Sequence, residues 1–439
     1  MTFINEARSA VDQAEAFSTQ RKVIQVQFTE GMLDLVAHRS ASECAVRVIV
    51  DGMLGASYGE SALKRLLDDA REAAAFGQAA EFSFAPGQAY ESRAESDPVT
   101  AGLSATDLID MAVDVRDRIV KAAPDAAVDI VCKAETGRRD VQTTEGGNAT
   151  DPFSRVTLGV HLPFASRRTD VGVTARLMSA EPTSISDAWI ADLLERRDWG
   201  AQSSVPESGR WPVLLAPYAS SLLTWPLATC LSSDSVTRGV SPLAERVGEQ
   251  VLSDRLTIRE DPTHDGSPYT RSFDDEGVAV RPRTVIDQGT LKGFLTDLRG
   301  AAELGQSPTG NAVRRTMFSE KIEDAPTPGW LGAVIEPGDL SWRELLREMG
   351  EGVLVTRVSG LHSSNLLQGQ YSVQIGGFHI RDGKPAGYLE RTMIAGSVFE
   401  DFMTVRGVSR ERETTAHVEM EVAGLAPYVL LDSAQVTVG

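Results

Sequence analysis

Cys44-Ala45-Val46-Arg47-Val48-Ile49-Val50-Asp51-Gly52-Met53-Leu54-Gly55 reads as a strand running into a tight turn. β-Branched residues crowd Val46–Val50, and the Asp-Gly pair supplies the positive φ that a close reversal needs. Downstream, Glu60–Phe76 carries Leu63, Leu66, Leu67 and Ala70 on one stripe, the mark of an amphipathic helix. Upstream, Val23-Ile24-Gln25-Val26-Gln27-Phe28 alternates apolar and polar residues as a half-buried strand does, and Leu33–His38 is a further strand candidate. Residues 5–17 read as a short amphipathic helix. These elements in close succession predict an α+β fold with mixed or antiparallel sheets.

The same pattern continues. Ala85–Ala101, rich in Pro, Gly, Ser and acidic residues, reads as a linker or long loop. Ser104, Thr106 or Asp107 caps a helix that runs to about Ala123 and stops at Pro124. Strands follow at Val128–Ala134, at Asp140–Thr144 after a Gly-Arg-Arg turn, at Val156–Leu162 and at Val171–Met178, with Glu145-Gly146-Gly147-Asn148 as turn material. A helix is expected from about Ser186 to Arg197. The loop Gln202–Gly209 divides the chain into an N-terminal α+β domain, 1–205, subdivided near 85–103, and a strand-rich C-terminal domain, 206–439. The second domain carries helices near Tyr218–Leu231, Thr296–Leu304 and Trp342–Met349, a strand at Val353–Val358, and a bulge or close backbone approach at Gly376-Gly377.

Composition narrows the function. The 439 residues carry a net charge of -19, which argues against a nucleic-acid surface and weakens contact with anionic membranes. No run reaches the roughly 20 apolar residues of a membrane helix, and the first residues show no apolar secretion signal. Cys44, Cys132 and Cys230 are odd in number and far apart, so neither a disulfide framework nor a zinc ribbon is expected. These features predict a cytoplasmic, reduced protein.

The histidines are His38, His161, His264, His362, His379 and His417, no two close enough to form a helical metal pair. His38 and His161 sit on strand patterns and read as structural. Nucleophile-elbow, Walker and dinucleotide fingerprints are absent. Phe273-Asp274-Asp275-Glu276-Gly277 reads as a charged turn that pairs with Arg271, Arg281 and Arg283 rather than as a cation site. Gly360-Leu361-His362-Ser363-Ser364-Asn365 gathers polar groups at a strand end, where binding loops often sit, and a hydrogen-bonded Ser/Asn turn accounts for it equally well. Tyr371, Phe378 and His379 lie on strand patterns where core packing is the default.

Taken in order, these segments resemble the TldD/PmbA family. The likeness is carried by Val23–Phe28, Arg47–Gly55, Asp274–Gly277, Ile286-Asp287-Gln288-Gly289-Thr290-Leu291-Lys292-Gly293-Phe294, Ser307-Pro308-Thr309-Gly310-Asn311, Gly360–Asn365, Gly369-Gln370-Tyr371-Ser372, Ile380-Arg381-Asp382-Gly383 and Val429-Leu430-Leu431-Asp432. The resemblance implies a two-part α+β fold and an assembly of two homologous chains, one TldD-like and one PmbA/TldE-like. The TldD-like member is a zinc peptidase: His-Glu-x-x-x-His gives two ligands and the general base, and a distant cysteine gives the third ligand. Such assemblies degrade unfolded or small peptides in a closed chamber, or trim peptide-antibiotic precursors.

This chain departs from that pattern in Trp211-Pro212-Val213-Leu214-Leu215-Ala216-Pro217-Tyr218-Ala219-Ser220-Ser221. Ala216 and Pro217 fall where the first histidine and the glutamate belong, and Ser221 where the second histidine belongs. The region from Val405 to Gly439 has no cysteine. The family's Gly-Asp-Phe-Ser strand is here Gly369-Gln370-Tyr371-Ser372, which removes a carboxylate and suggests a specialised, biosynthetic pairing. The expectation is a PmbA/TldE-like subunit without catalytic residues or metal of its own, joined to a TldD-like zinc peptidase homologue that carries the zinc. His362, Ser363, Asn365, Gln370 and Tyr371 are the expected peptide contacts, with backbone hydrogen bonds along the Gly369–Val373 strand. A peptide-binding scaffold without proteolysis and a metal-free hydrolase are the competing expectations.

Overall fold

The computed structural model describes residues 3–60, 62–90, 96–164, 172–264, 267–314, 322, 325–417 and 422–439. In chain order the first part runs α1 Phe3–Arg8, β1 Gln13–Thr29, β2 Met32–Val50, β3 Met53–Gly59, α2 Leu63–Ala74, β4 Gln78–Ala79, α3 Pro98–Gly102, α4 Ala105–Ala122, β5 Asp129–Thr143, β6 Asn148–Pro163, β7 Gly172–Ser179 and α5 Asp187–Trp199. The second begins β8 Ser203–Ser204, β9 Gly209–Leu215, α6 Ser221–Leu231, α7 Ser233–Thr237, β10 Ile258–Glu260, β11 Arg283–Asp287, β12 Thr290–Leu291, α8 Leu298–Glu303, β13 Ala312–Val313, β14 Thr327–Pro328 and β15 Ala333–Ile335. It closes with α9 Trp342–Met349, β16 Gly352–Ser359, β17 Gln370–Arg381, β18 Lys384–Leu389, β19 Thr392–Ser397, α10 Val398–Asp401, β20 Val405–His417 and β21 Val422–Val438.

Strands β1–β7 form one antiparallel sheet in the order β4-β3-β2-β1-β5-β6-β7. The second sheet is mixed. Its path β12-β11-β10-β15-β21-β9-β16-β17-β18-β8 is joined by β19 and β20, and β9 runs parallel to β16 and antiparallel to β21. Alternation along β9 sends Val213 and Leu215 to one core and Leu214 to the other. The first core holds α6 through Leu222, Leu223 and Leu227. The second joins the sheets: Val26 and Phe28 of β1 pack with α4, α5 and α9 against Leu354, Phe378 and Leu430. Among the described residues no helix is long and apolar enough to cross a membrane.

Local chemistry explains the termini. Ser104 and Asp107 form a capping box on α4, Ser341 and Glu344 do the same on α9, and Ser186 caps α5. Asp51 and Gly52 both have positive φ, as the reversal between β2 and β3 requires. Gly377 sits opposite a register shift in β16, and a Cβ there would lie 1.9 Å from the Leu354 carbonyl oxygen. The expected bulge and the expected close approach are both present.

Several expectations need correction. Residues 5–17 are not one helix: it ends at Arg8, and Gln13 already pairs with Ile49. Ala14 and Ala16 suit a helix by propensity, but burial between two neighbouring strands overrides it. Leu33–His38 and Cys44–Val50 are one strand, as are Val128–Ala134 and Asp140–Thr144, because Gly137-Arg138-Arg139 continues the ladder between β1 and β6. Met53 opens β3 rather than prolonging a turn. Residues 91–95 of the expected linker and Val171 lie outside the described residues.

The acidic turn is also deeper than expected. Asp274, Asp275 and Glu276 are all buried. Arg271 pairs with Asp275 at 2.6 Å, as expected of a neighbour, but the other cations come from elsewhere. Arg47 of β2 reaches Glu15 at 2.6 Å and Glu276 at 2.7 Å, and Arg314 bonds Glu15 and the Asp275 carbonyl. Arg283 instead donates to the Phe294 carbonyl and to Asn311 Oδ1. Burial and then the Glu276 charge hold the Asp274 carboxyl well above the usual range, even though Ala312, Val278 and Glu276 donate backbone N–H bonds to it.

Candidate functional site

At the end of β9 the chain turns through Pro217–Ser220 into α6. The Ala216 N–H donates to the Val355 carbonyl at 2.8 Å, so this corner is pinned to β16. Ala216 and Pro217 are buried, whereas Tyr218 is exposed and Ser221 reaches a cavity. The helix then divides its faces. Leu222, Leu223 and Leu227 go to the core, while Thr224, Trp225 and Ala228 follow Ser221 along the cavity at helical spacing.

The cavity has a volume of about 520 Å3. Trp330 forms part of its wall, its indole N–H bonded to the Thr224 carbonyl at 2.9 Å. Leu366, Leu367 and His362 close another side, and Arg238 and Asp234 stand on its lining. Asp234 pairs with Arg299 at 3.0 Å, and Arg238 Nε donates to the Asp234 carbonyl. Hydroxyls of Ser220, Ser221, Thr224 and Thr229 break the apolar wall. Aromatic surface with scattered hydroxyls suits an extended peptide, whose side chains need apolar contact and whose backbone needs hydrogen-bond partners.

The donor set does not fit a catalytic zinc, which takes three protein ligands and keeps one open position. Among the described residues His362 is the one histidine of the cavity lining, and no group of three His, Cys, Asp or Glu could hold a metal ion. Cys230 of α6 is fully buried, its thiol directed at the Leu366 carbonyl at 3.4 Å, and burial pushes its pKa up to about 12. A thiol so placed is inert at neutral pH.

The expected contact residues separate. His362 lines the cavity, while Ser363 is exposed and its hydroxyl donates to the Gly360 carbonyl at 2.7 Å. The Asn365 carbonyl accepts N–H bonds from Gln368 and Gln370, and the side chains of Asn365 and Gln370 are exposed away from the cavity lining. Tyr371 is buried in the core, and its hydroxyl donates to Asp401 Oδ2 at 2.6 Å. Burial first, then the Asp401 charge, pushes its pKa up. Its contact role is thereby corrected to a structural one, because the ring has no path to a ligand. The Gly369–Val373 strand is not an open edge either: Gln370–Val373 pair with β19, and the Ser372 N–H donates to Ser364 Oγ at 3.1 Å.

Tyr371→Phe is accordingly expected to lower stability by about 1–2 kcal/mol, the cost of one buried hydrogen bond to a charged acceptor. Peptide affinity, read by fluorescence titration, should stay unchanged; a loss of affinity at full stability would restore the contact role.

His379 is buried, bonded through Nδ1 to Ser204 Oγ at 2.8 Å, and packed edge-on to Trp211. Burial lowers its pKa, and it lies outside the cavity lining. Sequence reasoning did not find Trp225, Trp330 or Arg238. The stripe Ser221, Thr224, Trp225, Ala228 was the available signal, masked by the apolar residues interleaved with it.

Comparison with known proteins gives the family. The family described as PmbA/TldA metallopeptidase C-terminal domain matches residues 208–438. A zinc metalloprotease TldD homolog of Saccharolobus solfataricus is 28% identical over 254 residues, 56% of each chain. The metalloprotease PmbA of Escherichia coli is 28% identical over 221 residues, 48% of this chain and 46% of that one. The aligned stretch thus spans about half the length of these curated relatives. TldE from Thermococcus kodakarensis, at 22% identity, superposes over 99% of both chains with a TM-score of 0.88, which extends the shared fold to nearly the whole chain. The cavity walls from α6 to His362 lie inside the matched region, and the chain belongs to the PmbA/TldD metallopeptidase family.

Proposed function

We propose that this chain is the non-catalytic, PmbA/TldE-like subunit of a heterodimeric peptidase whose zinc sits in a TldD-like partner chain. The observation that carries this reading is the cavity of the metallopeptidase domain. It keeps a peptide-sized, aromatic and hydroxyl-lined surface, but among the described residues it has a single imidazole and none of the convergent ligands of a zinc site. In the assembly the zinc would polarise the scissile carbonyl and activate water. This chain's part is to hold peptide: Trp225 and Trp330 receive apolar side chains, and Ser221, Thr224 and His362 meet polar groups. The exchange of the family's carboxylate for Gln370, outside the cavity lining, favours a specialised pairing, as in natural-product maturation, over bulk degradation.

The test is to mix the purified chain with a homologue that carries His-Glu-x-x-x-His. A one-to-one complex and peptide cleavage that stops with chelator are expected. A chain that binds peptide but ignores such a homologue would be a scaffold, and the proposal would fall.

A further inference from the structure

Pro328-Gly329-Trp330-Leu331-Gly332 sets a large aromatic between glycines, a sequence with little preference for any one backbone path. The fold holds that backbone from both sides. Before Trp330, the Gly329 N–H donates to the Asn311 carbonyl at 2.9 Å, and Asn311 Nδ2 donates to the Gly329 carbonyl at 3.0 Å. After it, one oxygen of Glu260, at the end of β10, accepts the N–H groups of both Leu331 and Gly332, at 2.9 and 3.0 Å. The Gly332 carbonyl accepts the Asp261 N–H at 2.8 Å. A Cβ at Gly332 would lie 2.5 Å from the Asp261 carbonyl oxygen, so glycine is what lets β10 come this near. Between the two holds, the indole of Trp330 is anchored on the Thr224 carbonyl of α6 and walls the cavity. Glu260 itself is buried and lies outside the cavity lining.

We propose that Glu260 is a positioning residue of the peptide cavity: its carboxylate charge fixes the backbone that sets Trp330 against α6, so peptide affinity follows that charge. This rests on the peptide reading of the cavity. The physical reason is pre-organisation. An ionised carboxylate accepts N–H bonds about twice as strongly as a neutral group. Once protonated it holds residues 331–332 less firmly, Trp330 visits other positions, and binding must first restore the wall.

The surroundings bring this proton into the neutral range. Burial raises the Glu260 pKa to about 7, against the lowering effect of the Leu331 N–H bond and of the Arg283 charge. Among the described residues the charged groups that face it are Arg283, directly across on β11, and Asp261 beside it. Arg283 turns its Nη2 to the Phe294 carbonyl and to Asn311 Oδ1, and Asp261 turns its Oδ1 to Thr263. Arg259, the preceding residue of β10, pairs with Glu336 at 3.6 Å. The second oxygen of Glu260, Oε2, bonds none of the described residues, which makes it the seat of the proton.

The test is a fluorescence titration of the full chain, from pH 6 to 8, with acetyl-Ala-Phe-Ala-Leu-Ala-amide, a peptide with no titrating group. Affinity is expected to rise about fivefold, the scale of exchanging a neutral acceptor for a charged one. Glu260→Gln should bind at pH 8 about as weakly as the parent does at pH 6, with a flat profile, whereas His362→Gln should keep the rise. A merely structural role would lower affinity and stability together. Here they part. The folded carboxyl titrates near 7 and the unfolded one near 4.3, so the parent loses stability from this group as the pH rises to 7. In denaturant unfolding Glu260→Gln should therefore gain on the parent over the interval in which its relative affinity falls. If the variant does not fold, the parent decides alone: calorimetry at pH 7 in two buffers of different ionisation enthalpy should show protons released on peptide binding. A flat parent profile with peptide bound, a rise that survives in Glu260→Gln, or binding without proton release would overturn the positioning role and leave the peptide reading standing. No binding at any pH would overturn both.

Discussion

Arg47→Ala is expected to destabilise the chain by about 3–5 kcal/mol, the cost of leaving buried carboxylates without their cation. Arg47 Nε and Nη2 bond Glu15 at 3.1 and 2.6 Å, and Nη1 lies 2.7 Å from Glu276. Both carboxylates are fully buried, so water cannot replace the guanidinium. Glu15 belongs to β1, and Glu276 to the acidic turn that also binds the α8 end through the Leu298 N–H. The variant therefore loosens the contact of β1 and β2 with this turn and α8 as well as one ion pair. Arg314 remains on Glu15, which limits the loss there. Arg47→Lys should recover part of the stability, because one ammonium cannot serve the two-pronged contact with Glu15 and also reach Glu276. Denaturant unfolding followed by circular dichroism reads the effect, and a change under 1 kcal/mol would refute this view of the network.

Asp297→Asn is expected to do the reverse and stabilise the chain at alkaline pH. Burial first, then the Glu276 charge, raises the Asp297 pKa to about 7, although its Oδ1 accepts the Gly300 N–H at 2.7 Å and caps α8. The unfolded carboxyl titrates near pH 3.9, so between about pH 4 and 7 the folded chain holds a proton that the unfolded chain has released. Stability from this group is therefore greatest below about pH 4 and is lost as the pH rises to 7. Asparagine keeps the cap and removes the charge. At pH 8 the variant should gain on the order of 3 kcal/mol, shrinking towards zero at pH 4. A gain that does not vary with pH would place the cause elsewhere.

What the sequence showed depended on how local the physics was. The caps at Ser104, Ser186 and Ser341 and the Asp51-Gly52 reversal are set by neighbours in the chain, and they stood where the pattern placed them. The length of β1 and of β5 was not legible. Ala14, Ala16 and Gly137-Arg138-Arg139 become strand only because a long neighbour lies on each side. The acidic turn carried its charges openly, but its main cation, Arg47, is more than two hundred residues away. The cavity followed the same rule. His362 and Ser221 could be named from the resemblance, whereas Trp225 and Trp330 meet only once α6 packs against the segment before β15. Tyr371 misled for the opposite reason: it lies in a segment with a family match, but alternation along β17 sends it inward to Asp401.

The central claim is that this chain shapes a peptidase site without supplying the metal. Its most direct test is zinc content and peptide turnover of the purified chain, alone and after mixing with its zinc-bearing homologue. The account predicts no bound zinc and no turnover alone, with chelator-sensitive cleavage on mixing. One zinc per chain, or turnover by the lone chain, would contradict it.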